Sequence, residues 1–341
     1  IGADAKTVVV LSSPLKRFRG SYWLVPVGFL IGSLLSLVIP SAAALSLLLV
    51  ATLLPALIAA GLTPLTVAAL VVTSSTIIPT PLEAGLIQGA DLTNMSVTEF
   101  VYGSVARATV PALLITAFVH MWWQKHCDKV DARKAHADDA TAGSDTLSES
   151  DRATREALER AKGLPGFYAV LPLMPLLLII VSAILNRTGV IPFEADILPV
   201  TVVSLFIAML IEAIRIRSIT ESMDSTAHFF KGMGEGAAGV VALLVAAAVL
   251  VEGITQMGVI DGLTDLAQAS SGAAVLMVLV FVLATSAMAL LTGSGVAPYF
   301  AFSEMVPGIA ADSAVSSPQM LTSIWAASNA MRQASPVNAA V

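Results

Sequence analysis

Residues 293–336 read GSGVAPYFAFSEMVPGIAADSAVSSPQMLTSIWAASNAMRQASP, and residues 41–81 read SAAALSLLLVATLLPALIAAGLTPLTVAALVVTSSTIIPTP. Both open on small residues and then place a proline (Pro307, Pro55), a second proline near the next turn (Pro318, Pro64) and a small polar cluster beyond it. The clusters are Ser328-Asn329, closed by Pro336, and Ser74-Ser75-Thr76, closed by Pro79 and Pro81. Proline lacks the amide hydrogen of a helix interior and clashes with the preceding turn. Each copy therefore predicts helices interrupted inside an apolar region. Such a break exposes N–H groups at one half-helix start and carbonyls at the other half-helix end, and lipid satisfies neither. They persist around a wet cavity, where the N–H ends favour anions and the carbonyl ends favour cations.

The surroundings of these copies are apolar beyond anything a soluble domain shows. Hydrophobic residues make up 56% of 341 positions and charged residues 12%, with a mean hydropathy of +0.85. Soluble domains use roughly 45–50% apolar and 25% charged residues. No Asp, Glu, Lys or Arg occurs from Gly20 to Leu82 or from Leu266 to Ser303. About 20 residues cross a bilayer once, so these tracts are long enough to cross more than once. The net charge of −6 lies in loops and carries topology rather than partner choice. No basic patch with interleaved aromatics suggests a nucleic-acid partner.

Spanning stretches are expected at 21–40, 41–61, 106–124, 167–186, 197–214, 236–255 and 272–291, with shorter ones at 64–80, 298–311 and 318–331. Trp23, Trp122, Trp123 and Tyr168 stand at stretch ends, where interfacial aromatic anchors belong. Residues 125–166 hold eight Lys/Arg and nine Asp/Glu around a Ser/Ala/Asp-rich middle that buries no core. They read as a cytoplasmic linker, with a short solvated helix expected near 150–162. Of 18 Lys/Arg, 15 fall before Trp23, in this linker, or at Arg215, Arg217 and Lys231. Those loops are expected inside, and 83–99, 187–196 and 256–271 outside. The two copies then run in opposite directions across the membrane.

Inverted repeats with interrupted helices are a signature of secondary transporters, with substrate at the midplane between them. The expected fold is an all-α polytopic bundle: a first repeat at 1–124, the linker at 125–166 and a second repeat at 167–341, with interrupted helices or re-entrant hairpins. The chain opens at Ile1 without a basic region and short apolar core, so no signal peptide is read there. Unequal flanking of the two copies predicts further chain, about three spans before this sequence and one after it.

At these same residues the sequence resembles the DcuC-type anaerobic C4-dicarboxylate carriers of the ion-transporter superfamily. The resemblance covers nearly the whole chain. It is strongest at TGSGVAPYFAFSEMVP (292–307) and ASNAMRQASPVNAAV (327–341), and is present at IGADAKTVVVLSSPLKRF (1–18). The segment TSSTIIPTPLEAGLIQGADLTNMS (73–96) departs from the family pattern, with Leu82-Glu83 where Gly-Asp is usual. The resemblance implies a multi-pass protein of the cytoplasmic (inner) membrane that moves succinate, fumarate or malate by exchange, symport or efflux, with Na+ or H+ as coupling ion and no other cofactor. It leaves a homodimer open. A carrier of the same fold for another organic anion, or a sodium/proton antiporter, is the alternative.

The candidate site is drawn from both copies: Ser74, Ser75 and Thr76 from the first, and Thr292, Gly293, Ser294, Gly295, Ser328, Asn329, Arg332 and Ser335 from the second. Arg332 is a lone base in the C-terminal apolar region, and an intramembrane ionisable residue is a functional hypothesis by default. Its planar fork suits a carboxylate; the competing reading is a structural pair, for instance with Glu304. Glu83 beside Pro81 is the coupling candidate, ahead of Glu212, Glu235 and Glu252 near span ends. The single cysteine, Cys127, excludes an intrachain disulfide and reads as a reduced loop residue. His120, His126, His136 and His228 lack the spacing of a metal site. No nucleophile–base pair or paired intramembrane aspartates point to an enzyme.

Overall fold

The computed structural model describes residues 6–7, 10, 22–39, 41–135, 164–192, 196–217, 230–234, 237–238, 241–242, 245–246, 249, 253, 256–258, 273–311 and 315–336. Among them the regular structure is helical throughout. In chain order the helices are α1 (Leu24–Ser36), α2 (Ala42–Ala59), α3 (Pro64–Thr73), α4 (Ala84–Leu92), a π-helical turn (Glu99–Val105) running into α5 (Ala106–Ala135), a 3-10 segment (Gly166–Leu173) running into α6 (Met174–Arg187), α7 (Ile197–Ile216), α8 (Ala273–Thr292), α9 (Val296–Ser303), α10 (Val306–Ala311) and α11 (Ser317–Met331) with a 3-10 turn (Arg332–Ala334) at its end. The expected span 236–255 and solvated helix 150–162 lie largely or wholly outside the described residues, as do Glu235 and Glu252.

Four of these helices are long and apolar enough to cross a membrane: Glu99–Val130, Gly166–Arg187, Ile197–Ile216 and Val275–Thr292. Their large apolar side chains stand exposed, Leu198 at 72% and Leu291 at 76%, as a lipid-facing surface requires. The chain is a multi-pass membrane protein. The stretch read as 21–40 is helical over only 13 residues, because Leu37–Ile39 leave the helix ahead of Pro40.

The chain forms two compact units. One comprises Ile1–Ile78 and Val110–Leu178, and the other Pro79–Thr109 and Ile179–Ala339. In the first, α1, α2 and α3 pack around Leu24, Phe29, Leu49, Leu57, Val67 and Leu70. Gly28 and Gly32 make the close approach possible. A methyl group at Gly28 would lie 3.1 Å from a Leu57 carbon, and one at Gly32 would lie 2.5 Å from the Ser74 Cβ. Small residues four apart are the usual device for such contacts in membranes.

A polar clamp closes one end of this unit. Asp128 accepts hydrogen bonds from Tyr22 (2.9 Å), Thr63 (2.8 Å) and Thr66 (3.0 Å). Thr63 also caps α3, accepting from the Thr66 amide at 3.2 Å. Helix α5 thus continues to Ala135, through the first residues of the segment read as a linker. Cys127 accordingly sits on a helix rather than in a loop. Trp23, Trp122 and Trp123 are exposed, as expected of anchors, whereas Tyr168 is completely buried and packs as core. A residue at the end of an apolar stretch is interfacial only if its face turns outward.

In the second unit, α11 packs against α8, α9 and α10, and α4 packs against α9 and α11. The breaks fall where small residues and prolines occur, with one shift. Gly293, at φ 70, terminates α8, and α9 and α10 part at Glu304-Met305, so Pro307 belongs to the first turn of α10 rather than to the break. Ser316 opens α11 with a reciprocal capping box to Gln319. In the first unit Pro55 lies inside an unbroken α2, which ends at Ala59 ahead of Gly61 at φ 106.

Candidate functional site

The segment Pro79–Glu83 runs without helix into α4, whose first position is preceded by Glu83 in an extended conformation. Its carboxylate oxygen Oε2 accepts a hydrogen bond of 2.6 Å from the indole nitrogen of Trp325, which is 1% exposed. Arg332, at the C-terminal end of α11, lies in electrostatic range of the same carboxylate. Acid and base from segments far apart in sequence thus lie in one compact unit.

One helical turn on, Gln88 ties α4 to the end of α9. Its amide nitrogen donates to Glu304 at 2.6 Å, and its amide oxygen accepts from the Ser303 hydroxyl at 3.0 Å. Glu304, the residue considered above as a partner for Arg332, accepts this bond. Tyr299 fills the gap between these contacts, with Gly85 and Gly89 giving it room. A methyl at Gly85 would lie 3.2 Å from the Tyr299 ring, and one at Gly89 would lie 2.8 Å from its hydroxyl. That hydroxyl is buried without a hydrogen bond among the described residues and lies in the field of both Glu83 and Glu304.

The break between α8 and α9 borders the same unit. Gly295 approaches α11 so closely that a methyl there would meet the Asn329 Oδ1 at 2.5 Å and its Cα at 3.0 Å. The Asn329 amide nitrogen donates to the Trp325 carbonyl at 3.0 Å, which fixes the side chain with its oxygen toward the break. Ser294 accepts from the Ala297 amide at 3.2 Å and Thr292 from the Ser294 amide at 3.3 Å, together covering donors at the start of α9.

The structure brings Glu83, Thr292, Gly293, Ser294, Gly295, Ser328, Asn329, Arg332 and Ser335 into one unit. Ser74, Ser75 and Thr76 belong to the other. There Ser74 ends α3, buried against Gly32, and its hydroxyl donates to the Val71 carbonyl at 2.9 Å; Thr76 donates to the Thr73 carbonyl. Thr292 donates to the Met288 carbonyl at 2.7 Å and Ser328 to the Trp325 carbonyl at 3.1 Å. With their protons committed to main-chain carbonyls, these hydroxyl oxygens can only accept. That suits a cation and not a carboxylate. Glu212, ranked above behind Glu83 as a coupling candidate, is 4% exposed and pairs with Arg215 at 2.5 Å. No cluster of metal-binding side chains occurs among the described residues.

Gln88, Tyr299, Ser303 and Trp325 are the members that sequence reasoning missed. One signal was available: Gly85 and Gly89 stand four apart, the spacing of a close helix contact.

A family model described as "DcuC: C4-dicarboxylate anaerobic carrier" matches residues 1–341. The chain belongs to the DcuC family. The anaerobic C4-dicarboxylate transporter DcuC of Escherichia coli strain K12 is 30% identical over 341 residues, all of this chain and 69% of that protein. The probable anaerobic C4-dicarboxylate transporter DcuC of Vibrio cholerae is likewise 30% identical, over all of this chain and 70% of that protein. No solved structure matches. Membership of the DcuC family makes this chain a transporter and not an enzyme.

Proposed function

We propose that this chain carries C4-dicarboxylates across the cytoplasmic membrane by alternating access, with Arg332 receiving one substrate carboxylate beside Asn329 and Glu83 coupling transport to a cation. The observation that carries the reading is the hydrogen bond from the buried Trp325 indole to Glu83, with Arg332 in electrostatic range of that carboxylate, beside interrupted helices. Family membership supplies the substrate class, through relatives named as C4-dicarboxylate transporters.

The chemistry is a competition. One guanidinium lies in electrostatic range of one internal carboxylate, and a substrate carboxylate competes with Glu83 for Arg332 most readily once Glu83 holds a proton. A proton thereby enters with the substrate. Sodium is the other candidate, and the acceptor-only oxygens of Thr292 and Ser328, in the unit that holds Glu83, favour it. The two halves of the chain, 1–124 and 167–341 about the linker, then act as inverted repeats, each supplying broken helices. A homodimer is compatible with this arrangement.

Reconstituted protein loaded with succinate or fumarate tests the proposal by uptake of labelled succinate, with and without sodium and proton gradients. Counterflow driven by trapped dicarboxylate is expected. Absence of flux under every gradient discards the substrate class, and the same vesicles then serve to test other organic anions and sodium/proton antiport. Arg332→Gln is expected to lose about tenfold or more in apparent affinity, ~1.4 kcal/mol or more; a wild-type affinity removes Arg332 from the site. Glu83→Gln is expected to keep counterflow while losing its pH dependence if the proton is the coupling ion. An unchanged pH profile in that variant assigns coupling elsewhere.

A further inference from the structure

Fifteen of the 18 Lys/Arg lie in the three loop groups that fix orientation; the remaining three are Arg107, Arg187 and Arg332. Arg332 is accounted for by the site above. Arg107 and Arg187, 80 positions apart, line a single cavity of about 580 Å³. Its size lies within the range of ligand pockets, roughly 300–1,000 Å³.

The wall on one side is the π-helical turn at the head of α5, contributing Glu99 and Tyr102, with Arg107 one turn later. The other side is the C-terminal end of α6, contributing Asn186 and Arg187. Charge distribution places this end of both helices outward, where bases are disfavoured. Neither arginine forms an ion pair or hydrogen bond with another described residue. Glu99 is one carboxylate in a lining that holds two guanidiniums, so the lining carries net positive charge. A π-turn inside an otherwise regular helix is uncommon and recurs at functional sites.

We infer that this cavity is a second, outward-facing site for a small organic dianion, held between the Arg107 and Arg187 guanidiniums with Asn186 and Tyr102 as neutral donors. Its charge class follows from the cavity; its size class, a C4-dicarboxylate, rests on the transport reading proposed above. The site loads substrate at the outer face before transfer to the Arg332 region.

The test is equilibrium titration of succinate into the purified full chain, with Arg332→Gln removing the transport site. R332Q is expected to retain a weak binding event that falls about tenfold further, ~1.4 kcal/mol, in R332Q/R107Q/R187Q. Glu99→Gln on the R332Q background is expected to tighten that event, a gain that loss of fold does not imitate. The inference is overturned if R332Q binds no succinate, or if neither the arginine pair nor Glu99 alters what it binds. Should the wild type neither bind nor transport succinate, the dicarboxylate reading fails by itself, and inorganic sulfate becomes the probe. Sulfate binding abolished in R107Q/R187Q then sustains the dianion site, and sulfate binding indifferent to both arginines removes it.

Discussion

Gly295→Ala places a methyl group where the structure has room for none. Its Cβ would stand 2.5 Å from the Asn329 Oδ1, 2.9 Å from its Cγ and 3.0 Å from its Cα. Carbon atoms in contact lie about 3.5–4.0 Å apart. Rotating the Asn329 side chain relieves the first two contacts but breaks its hydrogen bond to the Trp325 carbonyl. The third involves main chain, so α11 itself must retreat by about half an ångström. Overpacking of this kind costs about 1–3 kcal/mol. Because Asn329 and Arg332 both ride on that end of α11, apparent substrate affinity is expected to fall by about tenfold or more, at ~1.4 kcal/mol per decade. Gly308→Ala is the control. Nothing lies within 4 Å of a methyl there, inside the short helix α10, where alanine is favoured over glycine by roughly 0.5–1 kcal/mol. The assays are counterflow in vesicles and a thermal melt followed by circular dichroism. Wild-type flux and melting in G295A, indistinguishable from G308A, would refute the reasoning.

Trp325→Phe keeps the apolar bulk of the ring and deletes the donor to Glu83; a hydrogen bond to a charged group is worth about 1.5–3 kcal/mol. A lowered melting temperature and an altered pH profile of transport are expected, and an unchanged profile would detach Trp325 from coupling. Asp128→Ala removes the acceptor shared by Tyr22, Thr63 and Thr66, and is expected to lower stability by about 1.5–3 kcal/mol with substrate affinity retained. Asp128→Asn, which keeps an acceptor, is expected to lose less, and equal losses in the two would show that charge rather than hydrogen bonding secures the clamp.

Much of the fold was legible because lipid imposes long charge-free tracts, and these stood in plain sight at 20–82 and 266–303. The breaks at Gly293 and before Ser317-Pro318 were legible for the same reason, since few residues end a helix in that environment. Helix α4 was not. Its sequence AGLIQGADL is short, polar in the middle and weak in helix propensity, and it is held by Tyr299 and Phe100 filling the space over Gly85 and Gly89. Arg332 and Glu83 could be picked singly, as charges near apolar breaks. Their association could not, because it depends on α4 lying against α11, a contact with no local signature. The Ser74 cluster shows the converse: small hydroxyl residues look alike in sequence whether they line a site or let two helices touch, and Ser74 fits against Gly32.

The hydrogen bond from Trp325 to Glu83 also gives the protein an optical reporter. Of four tryptophans, Trp23, Trp122 and Trp123 are more than half exposed, whereas Trp325 is 1% exposed. A quencher that partitions to the water–lipid interface is expected to silence the first three and leave the indole whose N–H touches the carboxylate. Its emission is expected to follow the charge on Glu83 and the arrival of a competing anion at Arg332, which would let occupancy be read from the unlabelled chain in real time.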